Sequence, residues 1–121
     1  MQIDEIRDFC LSKKGVTEHF PFDDVTLVFK VMNKMFALVG LDSWEKGNQK
    51  INLKCNPDWS EELRGEYEGI SPGWHMNKKL WNTVTINLDV SDELVRKLIN
   101  HSYDEVVKGL TKKLQKELSE M

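Results

Sequence analysis

Cysteine, proline and histidine are all scarce in this chain, and each scarcity excludes something. Two cysteines, Cys10 and Cys55, and three prolines occur in 121 residues. The cysteines stand far apart without CxxC spacing, which argues against a disulfide framework or a zinc knuckle and leaves two buried, reduced thiols as the expectation. His19, His75 and His101 are equally dispersed and lack the spacing of zinc ligands. No apolar run approaches the roughly 18 residues that a membrane span requires. The opening Met1-Gln2-Ile3-Asp4-Glu5 has neither the basic segment nor the apolar stretch of a signal peptide, so a cytoplasmic location without membrane partners is expected. A P-loop and a dinucleotide fingerprint are missing as well. The chain therefore reads as a non-enzymatic domain with no catalytic residue, cofactor or metal.

What is present is the balance of an ordinary globular protein: 40% hydrophobic, 31% charged, mean hydropathy -0.50. Its 121 residues suit one domain, residues 1–121, expected to be monomeric. A chain of this size buries about two-thirds of its unfolded surface, enough to fold without a metal or a disulfide. The net charge of -3 opposes strong, indiscriminate binding to nucleic acid. Its distribution says more than its sum. Residues 25–56 hold five basic and two acidic side chains, and residues 71–88 hold two basic and no acidic ones, while the remainder is acidic.

Ile3, Ile6, Phe9 and Cys10 recur at helical spacing opposite Asp4, Glu5, Arg7 and Asp8. Lys13-Lys14 and then Gly15 supply cations and a cap, so a first helix ends there. Val16 to Asp24 contains Phe20-Pro21-Phe22 and reads as an irregular connection. Leu27 to Val31 and Met35 to Val39, on either side of Asn33-Lys34, predict a hairpin. Asp42 to Asn48 reads as a loop. Lys50 to Lys54 alternates strictly: Ile51, Leu53 and Cys55 point one way, Lys50, Asn52 and Lys54 the other. Asn56-Pro57 is an N-cap with proline at the first helical position of a short helix.

Trp81 to Leu88 alternates again, with Val84, Ile86 and Leu88 on one face and Thr83, Thr85 and Asn87 on the other. Ser91 opens a helix with Leu94, Val95, Leu98 and Ile99 as its stripe. Asn100-His101 is expected to interrupt it, and Ser102 with Glu105 to form a capping box that starts the last helix. This order predicts an α+β two-layer sandwich, an antiparallel sheet with N- and C-terminal helices on one face.

Before the last strand stands the densest run of the chain, Pro72-Gly73-Trp74-His75-Met76-Asn77-Lys78, followed by Lys79 and Trp81-Asn82-Thr83-Val84. Proline presets φ and glycine accepts a positive φ, which predicts a tight turn at Pro72-Gly73. The run resembles the central motif of the MmcQ/YjbR family, and Glu18, Phe20, Pro21 and Phe22 also match that family's pattern. The similarity extends from the first helix to the last. It implies a frataxin-like (CyaY-like) fold and DNA binding through a "double-wing" motif, and it implies no reaction.

If helices cover the Ile51/Leu53 face, then Lys50, Asn52, Lys54, Thr83, Thr85 and Asn87 form the open face, with Lys30 beside them. Lys30, Lys34, Lys50, Lys54, Lys78 and Lys79 are then candidate phosphate contacts and Trp81 a stacking surface for bases, with DNA the expected partner. Lysine and threonine are equally what an uncovered sheet displays to water. His75 with Asn77 and Lys78 suits either an anion site or a structural histidine. The alternative is a small-ligand or protein-binding module centred on the Pro72 to Trp81 turn. A third reading, prompted by analogy with frataxins, is iron binding by Asp4, Glu5, Asp8, Glu18, Asp23 and Asp24, although hard cations need oxygens that converge.

Overall fold

The computed structural model describes residues 1–73 and 76–121. Its framework is a six-stranded sheet in the order β1-β2-β3-β4-β6-β5, antiparallel throughout. The strands are β1 (Val16–His19), β2 (Thr26–Val31), β3 (Lys34–Gly40), β4 (Lys50–Lys54), β5 (Ile70–Pro72) and β6 (Trp81–Thr85). The helices are α1 (Ile3–Leu11), α2 (Leu41–Glu45), α3 (Pro57–Glu66), α4 (Asp92–Lys108) and α5 (Lys112–Ser119).

Alternation decides which face is covered. Leu27, Phe29 and Val31 of β2, Ala37 and Val39 of β3, Ile51 and Leu53 of β4 and Val84 of β6 all pack into one cluster. Ile6 and Cys10 of α1 and Val95, Ile99 and Val106 of α4 complete it. Burying such side chains contributes about 1.5–3 kcal/mol each, and a one-residue slip of β4 would turn Lys50 and Lys54 inward, so the register is strongly fixed. The α+β sandwich and the direction of β4 agree with the sequence reading. Both cysteines are free and buried, and burial pushes the Cys10 thiol up to about 12.

Two local features shape the hairpin. Met32 (φ 48°) and Asn33 (φ 67°) both adopt positive φ, the requirement of a two-residue turn whose twist suits the flanking strands. A bulge then follows, because Phe29 pairs with Ala37 while Lys30 pairs with Met35. Phe36 is the extra residue, and its ring turns into the helix-side core.

Several elements differ from the expectation. Residues 16–24 are not all connection, since Val16–His19 pairs with β2 as an edge strand. Asp42 to Asn48 is not all loop, since Leu41–Glu45 forms a helical turn that buries Trp44. Ile70–Pro72 is a second short edge strand. The last strand stops at Thr85, Asn87 takes a φ of 63°, and Leu88 is 59% exposed rather than in line with Val84 and Ile86.

The largest difference is α4, which runs unbroken through Asn100-His101. Ser102 opens no helix. Its hydroxyl, fully buried, donates to the Phe36 carbonyl at 2.5 Å and accepts the Lys54 N–H at 2.8 Å. Direct pairing of β3 with β4 covers Ala37↔Leu53 and Leu38↔Asn52. Ser102 bridges the strands where they part. Beside it, His101 Nε2 accepts the Asn56 N–H at 3.0 Å. What reads as a helix break is a helix face built to satisfy the sheet.

Candidate functional site: the open face of the sheet

The second face carries no helix, and the register sorts its side chains into two ends. Thr17 pairs with Lys30, and Lys30 with Met35; Lys54 pairs with Trp81. At the opposite end Thr26 pairs with Gly40, and Lys50 with Thr85. Four residues of strand, about 13 Å, therefore separate Lys50 from Lys54.

Lys30, Lys54, Lys78 and Lys79 stand at one end of this face, and Lys34 lies at the same end of the sheet but, paired with the core residue Val31, leaves it on the helix-bearing side. Lys34 closes the β2–β3 turn, and Lys78-Lys79 lie in the turn that leads into β6. Lys34, Lys78 and Lys79 are exposed, Lys30 and Lys54 half-buried. The ion pairs among the described residues involve none of the five. Lys50 stands apart from them, exposed at the far end of β4. The structure thus brings together five of the six lysines proposed from sequence and separates the sixth.

The turn that carries Lys78-Lys79 is held from behind. The Asn77 side chain accepts the Lys79 N–H at 3.0 Å, and its carbonyl accepts the N–H groups of Leu80 and Trp81 at 3.1 and 2.9 Å. Arg64, in the last turn of α3, spreads its guanidinium over three acceptors: Asn82 Oδ1 at 2.7 Å, the Trp81 carbonyl at 3.2 Å and the Lys78 carbonyl. Asn82, buried on the helix side, also donates to Ser60 Oγ at 3.1 Å. Sequence reasoning missed Arg64. The signal for it is the one basic side chain in an otherwise acidic helix, Pro57–Glu66.

Trp81 corrects the expectation of a stacking surface. It lies on the open face but is only 9% exposed, packed with Val28 and Leu38 in a second apolar cluster beneath Met35, Met76 and Leu80. The turn folds back over the indole because this face has no helix to shelter it. Gly73 departs from expectation too. Its φ is not positive; it is required because a Cβ there would stand 2.9 Å from Trp81 Cβ, while its N–H donates to the Trp81 carbonyl at 2.8 Å. Trp74 and His75 lie outside the described residues, and with them the reading of His75 as an anion site.

Beyond Trp81 the open face sinks into a concavity of about 930 Å³. Leu38, Asn52 and Thr83 line it from the strands, Pro72 and Met76 from one side, and Phe22 from the other. Thr83 Oγ1 donates to Asn52 Oδ1 at 2.6 Å. Asp23 borders the concavity, but its carboxylate is engaged locally. It accepts the N–H groups of Thr26 and Val25 and the Thr26 hydroxyl, bonds that favour the ionised form and hold its pKa below the usual carboxylate range.

The acidic residues proposed for iron do not converge. Arg7 takes Glu18 through two nitrogens at 2.8 and 2.6 Å, and among the described residues no three His, Cys, Asp or Glu side chains could hold a metal. Gly69-Ile70-Ser71-Pro72-Gly73 has the Gly-x-Ser-x-Gly spacing of a hydrolase elbow, yet Ser71 lies inside edge strand β5 opposite Thr83 and not on a strand-to-helix turn. Gly69 is explained otherwise: Asp89 accepts its N–H at 2.8 Å, and a Cβ would stand 2.7 Å from that carboxylate.

Comparisons with known proteins agree with this architecture. The crystal structure of a Deinococcus radiodurans protein with a DUF419 domain superposes with a TM-score of 0.88 at 41% identity, covering 98% of this chain and 88% of that one. A crystal structure from Pseudomonas syringae superposes at 0.73 with 26% identity, covering 87% and 98%. In sequence, the uncharacterized protein YbdF of Escherichia coli O157:H7 is 42% identical over 97 residues, 80% of this chain and 77% of that one. The uncharacterized protein YjbR of Escherichia coli K12 is 27% identical over 121 residues, the whole of both. No enzymatic family is indicated by these matches. The YjbR family model spans residues 11–105, from the end of α1 through most of α4, and so includes both ends of the open face. The chain belongs to the YjbR family.

Proposed function

We propose that the protein is a non-catalytic module that binds nucleic acid through the lysine end of its open sheet face. The observation that carries this reading is the grouping of Lys30, Lys54, Lys78 and Lys79 at one end of that face, with Lys34 at the adjoining hairpin tip, without an ion pair to a described carboxylate. Lysines that repel one another and lack acidic partners are stabilised by an external polyanion. Lys30, Lys34 and Lys54 belong to the adjacent strands β2, β3 and β4, and the turn with Lys78 and Lys79 leads into β6 beside β4, so the row is about 14 Å wide. That width suits a phosphate backbone. Two projections, the Met32-Asn33 turn and the 77–80 turn, flank the Lys54 strand end, in keeping with two wings.

Burial of Trp81 removes the one base-stacking surface expected there. The contacts are therefore to phosphates, independent of base identity, and duplex DNA binds at least as well as a single strand. If about four phosphates are neutralised, log affinity falls with log salt at a slope of about -3 to -4. Fluorescence anisotropy with a random duplex at several salt concentrations tests this. A slope near zero, or no binding at low salt, rejects the reading.

A further inference from the structure

We propose that the concavity at the other end of the open face is a second site, for a small organic ammonium ion with an apolar body. Its volume of about 930 Å³ lies in the range of small-molecule pockets. Turn bonds and register sort its lining into two walls. The Leu41 N–H donates to the Val25 carbonyl at 2.8 Å, which ties the start of α2 to the chain entering β2. Asp23 and Asp42 therefore share one wall, and Phe22, 63% exposed, belongs to it as well. Lys50 belongs to the other. Thr26 pairs with Gly40 on β3, and β4 lies beyond β3, so Lys50 starts two strand spacings, about 10 Å, from the Thr26 strand. The floor between them is Gly40. Its φ of -84° suits any residue, and a Cβ there would meet Asp42 Oδ1 and Ser43 Oγ at an ordinary 3.5 Å. The backbone does not require glycine at this position; what glycine provides is room beside a carboxylate.

Charge on the lining favours a cation. Among the described residues it holds two carboxylates against the one ammonium of Lys50. The N–H groups of Thr26 and Val25 and the Thr26 hydroxyl keep Asp23 ionised. Asp42 accepts the Ser43 N–H at 2.9 Å through Oδ1, and among the described residues its Oδ2 has no partner. A ligand ammonium between Asp42 Oδ2 and the Phe22 ring gains a charge-assisted hydrogen bond and a cation–π contact. Its apolar body then covers Leu38, Pro72 and Met76, the apolar part of the lining. Lys50, across the concavity, weakens the attraction without cancelling it. The site is independent of the nucleic-acid reading, because its two carboxylates repel a phosphate backbone.

The test uses 2-naphthylmethylamine, the neutral 2-naphthalenemethanol and the acid 2-naphthoate as probes, followed by chemical-shift perturbation of the full chain. Saturable shifts are expected at Phe22, Leu38, Gly40 and Asp42 with the amine, weaker ones with the alcohol and the weakest with the acid. Asp42→Asn should lower amine affinity about tenfold, the loss of one charge-assisted hydrogen bond, while leaving the alcohol unchanged. Lys50→Met should raise amine affinity about twofold by removing the opposing charge. Gly40→Leu fills the floor and should block amine and alcohol alike, with the melting temperature as a check on folding. Amine affinity no higher than that of the alcohol or the acid, insensitivity to Asp42→Asn, a fall in Lys50→Met, or shifts confined to the lysine end would each overturn the proposal. In the same samples Asp42→Asn retains duplex binding and Lys78→Glu retains the amine, so the two sites fail separately.

Discussion

The two ends of the open sheet face share their strands yet differ in what covers them. At the lysine end, Met35, Met76 and Leu80 close over Trp81, and the cations stand around a sealed apolar plug. At the other end the surface beside Asn52 and Thr83 stays concave, and among the described residues Lys50 is the sole lysine on a lining that also holds Asp23 and Asp42. The filled end is closed over by apolar side chains and ringed by lysines without an ion pair to a described carboxylate, as the proposed contact with a phosphate backbone requires. The unfilled end is hollow and sets one lysine against two aspartates, so it lacks the positive excess that a phosphate backbone calls for. One β-strand of five residues, Lys50–Lys54, carries both chemistries because its period of two keeps Lys50, Asn52 and Lys54 on the same side.

Charge reversal breaks the comparison most sharply. Replacing the exposed Lys78 and Lys79 together by Glu should lower duplex affinity about a hundredfold, and the melting temperature should hardly move, since exposed charges contribute little stability. Lys50→Glu alone should change duplex affinity by no more than about twofold, because about 13 Å exceeds the screening length at physiological salt. Anisotropy titration of the two variants checks both expectations.

The next effect is on stability behind the lysine end. Ser102→Ala leaves the Phe36 carbonyl and the Lys54 N–H without their partner, which should cost about 2–4 kcal/mol in chemical denaturation. The cost should be shared by both ends, because β3 and β4 support both. Arg64→Met acts more locally. It frees the Lys78 and Trp81 carbonyls, and a loosened turn should weaken duplex binding by about two- to fivefold through the added cost of ordering the lysines.

The smallest effect is pH-dependent. Burial lowers the His101 pKa, outweighing the upward pull of Glu105 3.7 Å away, and Nε2 must be unprotonated to accept the Asn56 N–H. The unfolded chain therefore takes up the proton first. Stability from His101 is fully present above about pH 6.5 and declines as the pH falls from there through the lowered native value. Melting curves between neutral and mildly acidic pH should fall more steeply for the parent protein than for His101→Gln.

Strict alternation made β4 legible, and Asn56-Pro57 marked the start of α3 through its capping chemistry. The edge strands β1 and β5 were not legible, since four and three residues are too few for a periodic signal. Ser102 misled for a physical reason: Ser-x-x-Glu caps a helix only if the serine side chain is free to turn back on its own backbone, and here the sheet claims it. The same holds at the open face. Its lysines could be listed from sequence, but their division into five and one follows from pairing register. Burial of Trp81 follows from a turn that folds back across strands, which no local pattern encodes.

The central claim is that the five-lysine end, and not the hollow end, meets nucleic acid. Backbone amide chemical-shift mapping with a short random duplex at low salt tests it directly. Shifts concentrated at residues 30, 34, 54 and 77–80, with residues 22–26, 38 and 50 unmoved, are the predicted result. Shifts centred on the hollow end, or none at any duplex concentration, would contradict it.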